Sequence, residues 1–150
     1  MGYDINMHIE VKKDDRWHHF AAPHLSKYEL NDNGRFFDFV AGIRNEELMV
    51  TKPRGLPCDM SYVTDFCYQQ DLASFKPTRE GWLSKGELEL IQTKLFDYFE
   101  GQKKWGAPGF EHKTKLDFDL DLTYFHTLIN GNSVLSHQGW DDVRLVFWFE

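Results

Sequence analysis

Three residues near the start of the chain, Asp4, His8 and Glu10, are of the types that hold a metal ion and activate water. On a β-strand their even spacing puts all three on one face, so a metal-dependent hydrolase is one reading. Zinc sites combine three or four ligands at recognisable spacings, and the chain has neither His-Glu-x-x-His nor paired Cys-x-x-Cys. His18 and His19 are adjacent, so on a strand they point to opposite faces. Structural or surface histidines are therefore preferred, and no metal or cofactor is expected. Cys58 lies between Pro57 and Asp59 near the start of an expected helix, where a thiolate is favoured. A nucleophile also needs a base and an orienting group. A small side chain filling a packing site is the simpler reading of Cys58. Cys58 and Cys67 are too few for a disulfide framework and are expected to be free, buried thiols.

Ligand binding has better candidates. Lys52-Pro53-Arg54-Gly55-Leu56-Pro57 is a rigid loop that presents Arg54, and Arg44-Asn45 stands at the end of an expected helix. With Trp82, these residues could hold a small, nucleotide-like anion by charge-assisted hydrogen bonds. The alternative is that Arg54 pairs with a surface carboxylate such as Asp59. Phosphate-loop and dinucleotide signatures are absent, since Gly106-Ala107-Pro108-Gly109 lacks the glycine spacing and the lysine.

Charge is unevenly spread. The 150 residues carry 24 acidic and 17 basic side chains, a net of −7. Residues 116–150 hold Asp117, Asp119, Asp121, Asp141, Asp142 and Glu150 against Arg144 alone, a net of −5 that leaves −2 for the rest. An acidic face beside exposed aromatic rings would attract a basic protein or imitate a nucleic-acid backbone; the plainer alternative is a solvated face. The acidic balance argues against direct binding to a nucleic-acid backbone, which needs a basic patch. Hydrophobic residues at 41% and aromatic residues at 16% argue against disorder, and the length suits one domain over residues 1–150.

The elements that must position these residues are partly legible. Ile5, Met7, Ile9 and Val11 alternate with Asp4, Asn6, His8 and Glu10, the pattern of a half-buried strand. Lys13-Asp14-Asp15 makes a turn, Trp17 to Phe20 returns as a second hairpin arm, and Pro23 interrupts further pairing. Phe36, Phe39, Val40 and Ile43 recur at helical spacing and predict a short helix ending near Arg44-Asn45. Ser61 is an N-cap for a helix with Val63, Phe66 and Cys67 inward. Ser84-Lys85-Gly86-Glu87 is a capping box, followed by a core stripe of Leu88, Ile91, Leu95 and Phe99 and a stop at Gly101. Leu116 to Ile129 fits both an alternating strand and a helix ended by Gly131; the longer apolar stripe favours helix. Val143 to Phe149 is apolar almost throughout, a central strand covered on both faces, naturally paired beside the first. The expectation is an α+β fold, a small and mostly antiparallel sheet packed on three or four helices. The first residues lack the basic start and apolar run of a secretory signal, and no window of about 18 apolar residues would span a bilayer. A cytoplasmic location without membrane contact is expected.

Several segments together resemble a family of small uncharacterised proteins from bacteriophages and bacteria. They are Met1-Gly2-Tyr3-Asp4-Ile5-Asn6, Ala41-Gly42-Ile43-Arg44-Asn45, Pro53-Arg54-Gly55-Leu56-Pro57-Cys58-Asp59-Met60-Ser61, Trp82-Leu83-Ser84 and Arg144-Leu145-Val146-Phe147-Trp148-Phe149-Glu150. The family pattern has Cys and His where this chain has Tyr3 and Asn6. It also has a His-Ser-His-Ser type of stretch that Asp71 to Gly81 lacks, which weakens histidine chemistry here. The resemblance implies a phage-type accessory protein, and it groups Asp4, Arg44, Asn45, Arg54 and Asp59 as a polar cluster. The leading expectation is a non-enzymatic protein that binds and inhibits a host protein, such as a component of a defence system. Sequestration of a nucleotide-like ligand is the alternative.

Overall fold

A computed structural model describes residues 4–22, 33–43, 45–104 and 140–150. Its frame is a four-stranded antiparallel sheet in the order β2-β1-β4-β3, from β1 (Ile5–Lys13), β2 (Arg16–Ala21), β3 (Thr78–Ser84) and β4 (Asp142–Phe149). Three helices pack on it, α1 (Asn33–Ala41), α2 (Tyr62–Ser74) and α3 (Lys85–Lys104), with a short 3-10 turn at Glu46–Leu48. This is the α+β class that the patterning predicts.

The β1–β2 hairpin closes through Asp14 and Asp15, both left-handed with φ of 53° and 61°. Two such residues make the tight turn whose twist matches the flanking strands, and aspartate tolerates that conformation well. β4 lies between β1 and β3, as its run from Val143 to Phe149, apolar but for Arg144, predicts. It pairs with β1 from Ile5↔Phe149 to Lys12↔Asp142.

Met7, Ile9 and Val11 of β1 share one sheet face with Leu145, Phe147 and Phe149 of β4, all buried. Against that face pack Phe37, Val40 and Ala41 of α1 and Leu88 and Ile91 of α3. The capping box of α3 forms in both directions: the Ser84 amide donates to Glu87 Oε1 at 2.9 Å, and the Glu87 amide donates to Ser84 Oγ at 3.3 Å.

Several expectations are corrected. The first strand is not half-buried, because His8 and Glu10 on its polar face are as enclosed as its apolar residues. Helix α1 stops at Ala41, short of Arg44-Asn45. Gly42 takes φ +61° and donates to Asp38 O at 2.8 Å, and a side chain there would meet the Glu46 backbone at 2.9 Å. Left-handed glycine just past the last turn is the usual helix stop. Gly101, by contrast, stays within α3, which continues to Lys104. A glycine in a helix interior costs only about 1 kcal/mol against alanine, and it ends a helix only where the chain also turns. The α2 helix starts at its Ser61 cap but does not turn Val63 and Phe66 inward; they are 46% and 51% exposed. Its inward residue is Thr64, because the surface that it covers is polar.

Strand β3 has no counterpart among the predicted elements. Arg79, Glu80 and Gly81 are poor strand formers, and the strand exists because it pairs with β4 along Gly81↔Phe147 to Ser84↔Arg144. Gly81 is needed there, since a Cβ would lie 2.7 Å from Phe147 Cζ. The expected 116–129 helix, with Asp117, Asp119 and Asp121, lies outside the described residues, as do Arg44, Pro23 and the side chains of Phe36, Leu95 and Phe99. No described helix is long and apolar enough to cross a membrane.

Candidate functional site

The sheet face opposite the apolar core carries His8 and Glu10 of β1 with Arg144, Val146 and Trp148 of β4, and α2 lies over it. Glu10 and Arg144 are direct cross-strand partners with 0% and 4% exposure. Burying two charges is costly unless each is paired and hydrogen-bonded, and this pair meets both conditions. Arg144 Nε donates to Glu10 Oε1 at 2.9 Å, and Arg144 Nη2 lies 2.7 Å from the same oxygen. The second Glu10 oxygen accepts from the Ser61 amide at 2.7 Å and from the Thr64 hydroxyl at 2.8 Å. One buried carboxylate thus fixes β4 from one side and the first turn of α2 from the other. The outer edge of the guanidinium donates from Nη1 to Asp59 Oδ1 at 3.0 Å and from Nη2 to Asp59 O at 3.3 Å.

The inward stripe of α2 explains its orientation. Thr64, Tyr68 and Asp71 recur at helical spacing, and each meets the sheet. Trp148 is fully buried, donates from Nε1 to Asp71 Oδ2 at 2.7 Å and receives the Tyr68 ring edge-on at 5.0 Å. His8 stacks on Trp148 at 4.9 Å, and its Nδ1 is 3.1 Å from His19 Nε2. A hydrogen bond between two imidazoles needs one neutral acceptor nitrogen. Burial, and then the charge of His19, lower the His8 pKa from 6.5 to about 4; burial also lowers that of His19. Between these two His8 values the unfolded chain takes up a proton that the folded protein refuses, so stability rises with pH across that window. Melting temperature is expected to fall as pH drops below about 6.5. The fall should be shallower in His8→Phe, which keeps a ring against Trp148 and cannot titrate.

At the Arg144 end of this face a cleft of about 530 Å³ opens, lined by Trp17, Pro57, Cys58, Asp59, Trp82, Ser84, Asp142, Val143 and Arg144. The Arg144 guanidinium stacks over Trp17, 4.0 Å from the ring centroid. At the other side Arg54 stacks over Trp82 at 3.5 Å, donates to Trp82 O at 2.9 Å and pairs with Glu87 at 2.5 Å. Burial pushes the Glu87 carboxyl upward, but the Ser84 hydrogen bonds and Arg54 outweigh it and hold the group below the usual carboxylate range. The cleft therefore has two half-buried indoles for walls and a neutralised arginine at its base.

The predicted site residues divide accordingly. Asp59 and Trp82 line the cleft, and Arg54 stacks on Trp82 without lining it; Arg54 pairs with Glu87 and not with Asp59, which holds Arg144 instead. Asn45 caps the 3-10 turn through its Oδ1. Asp4 is exposed at the far end of the β1–β4 ladder, roughly 25 Å along the strand from the register of Asp142. For the hydrolase reading, Asp4 points to solvent while Glu10 is bound to Arg144, Ser61 and Thr64. Among the described residues no three His, Cys, Asp or Glu side chains are placed to hold a metal ion. Cys58 is a free thiol but an exposed one, correcting the buried packing role, and Cys67 is half-buried. Sequence reasoning missed Trp17 and Arg144 as site residues, and named Asp142 only within the acidic face. The available signal was Arg144, a lone cation in a strand read as covered on both faces, which requires a buried counter-charge on the next strand. Comparison with known protein families, with curated proteins and with solved structures finds no match to this chain.

Proposed function

We propose that the protein is a non-enzymatic binding protein that docks another protein at the Trp17–Trp82 cleft. The observation that carries this is the cleft itself, two half-buried indoles on either side of an arginine whose orientation is fixed by Glu10 and Asp59. Tryptophan and arginine in preorganised, partly enclosed positions are the residue types on which interface energy concentrates. The resemblance to phage-type accessory proteins supplies the partner class, a bacterial host protein that is inhibited by being bound. Arg54 and Arg144 are each matched by a carboxylate, which weighs against a nucleotide-like anion as the ligand.

The test is affinity capture from bacterial lysate with the wild-type chain, Trp17→Ala and Trp82→Ala side by side, circular dichroism confirming that each variant is folded. A partner retained by the wild type and reduced at least tenfold by either substitution is the expected result. Equal capture by all three proteins, or no specific partner over repeated captures, would sink the proposal.

A further inference from the structure

We infer that the cleft takes the guanidinium of an arginine from the partner, stacked against the indoles and hydrogen-bonded to Asp59 and Asp142. This rests on the protein-binding proposal and names the chemistry of its anchor. The first support is charge. Asp59 and Asp142 face a single lining cation, Arg144, and that cation is matched again from behind by Glu10. Of the nearby cations that do not line the cleft, Arg54 is paired with Glu87. Lys12, the register partner of Asp142, lies 5.7 Å from the Trp17 ring. With Glu10 and Lys12 counted, three carboxylates stand against two cations around the cleft, a balance that favours a cation over an anion.

The second support is acceptor capacity. Asp59 uses one carboxylate oxygen on Arg144, and its side chain is 62% exposed. Asp142 uses Oδ1 on the Val143 amide at 2.8 Å and is exposed. Among the described residues none donates to the second oxygen of either carboxylate, which leaves it for an incoming donor. The third support is the aromatic surface. Both indoles already hold a guanidinium, Arg144 at 4.0 Å on Trp17 and Arg54 at 3.5 Å on Trp82, so their surroundings suit planar cations. Trp17 attracts two cations, with Lys12 Nζ 5.7 Å from its ring as well as Arg144. Arginine is favoured over lysine because its flat fork stacks on rings, engages carboxylates with paired hydrogen bonds and is less strongly hydrated.

The experiment uses the full chain labelled with nitrogen-15 and the blocked tripeptide acetyl-Gly-Arg-Gly-amide, with AMP and inorganic phosphate as anionic comparators. The indole N–H resonances of Trp17 and Trp82, assigned through Trp17→Phe and Trp82→Phe, are expected to move saturably with the arginine peptide and stay still with both anions. Affinity should fall at least fivefold in the Asp59→Asn/Asp142→Asn double variant, whose two changes are exposed and keep the hydrogen bonds within the protein. Movement with AMP or phosphate instead of the peptide overturns the inference. Undiminished peptide binding by the double variant overturns it too, because general attraction to an acidic chain then accounts for the shifts. If the peptide does not bind while capture of a protein still depends on Trp82, the anchor chemistry falls and the binding-protein proposal stands. If the peptide binds but capture ignores both tryptophans, the binding-protein proposal falls and the guanidinium site stands.

Discussion

Replacing Arg144 with methionine is expected to destabilise the protein by about 3–5 kcal/mol, the usual cost of leaving a buried charge without its partner. The abandoned group is Glu10, which has no exposure to water and accepts from Arg144, Ser61 and Thr64. Methionine fills much of the volume, so the loss reports the stranded carboxylate more than a cavity. Adding Glu10→Leu should recover part of the loss, because an apolar pair removes the uncompensated charge. Recovery should be incomplete. The Ser61 amide would then be buried without an acceptor, at about 1–3 kcal/mol, while the Thr64 hydroxyl retains Ser61 Oγ at 2.9 Å as a partner. Urea unfolding of the wild type, both single variants and the double variant, followed by tryptophan fluorescence, gives the coupling energy directly. Full additivity, with no coupling between the two positions, would contradict the buried pair.

Trp148→Ala is the second large expected effect, again about 3–5 kcal/mol, from the cavity left by a fully buried indole and the loss of its ring contacts. Its consequence is also local. The Glu10 oxygens grip the first turn of α2 at Ser61 and Thr64, while Trp148 grips the middle and end through Tyr68 and Asp71. Removing the indole leaves the middle and end of α2 held to the sheet by the long Tyr68–Glu80 hydrogen bond, at 3.5 Å. Amide hydrogen exchange in α2 should therefore rise more than in α1 or α3, whose apolar contacts lie on the other sheet face. Trp148→Phe keeps a ring beside His8 and loses only the Asp71 bond, so it should cost much less. Uniform acceleration across all three helices would show that α2 is not separately anchored.

Both experiments probe the polar face, where sequence reading was weakest. The first strand shows why. Alternation correctly assigns Ile5, Met7, Ile9 and Val11 to one face and His8 and Glu10 to the other, but alternation reports sidedness and not burial. The polar face is buried because α2 lies over it, a fact that rests on Glu10 meeting the Ser61 cap 51 residues away. The same long-range contact reverses the α2 expectation. Hydrophobicity ranks Val63 and Phe66 as inward, while Thr64 wins because its hydroxyl satisfies a buried carboxylate. At β3 a strand forms from residues of low strand propensity, since β4 supplies the hydrogen-bonding partner.

At the cleft, Arg54, Asp59 and Trp82 were visible as a rigid loop and a nearby aromatic residue. Trp17 and Arg144 were not, because cross-strand register brings residues 127 positions apart into a stacked pair. The α+β class, the hairpin, the central apolar strand and the α3 cap are legible in the chain, because each depends on neighbours within a few residues. Which polar side chains are buried, which helix face turns inward and which arginine stands between the two indoles emerge on folding. Those outcomes depend on pairing charges and hydrogen bonds across elements far apart in the chain. Periodicity and propensity measure local preference, and they carry no record of a partner that arrives only on folding.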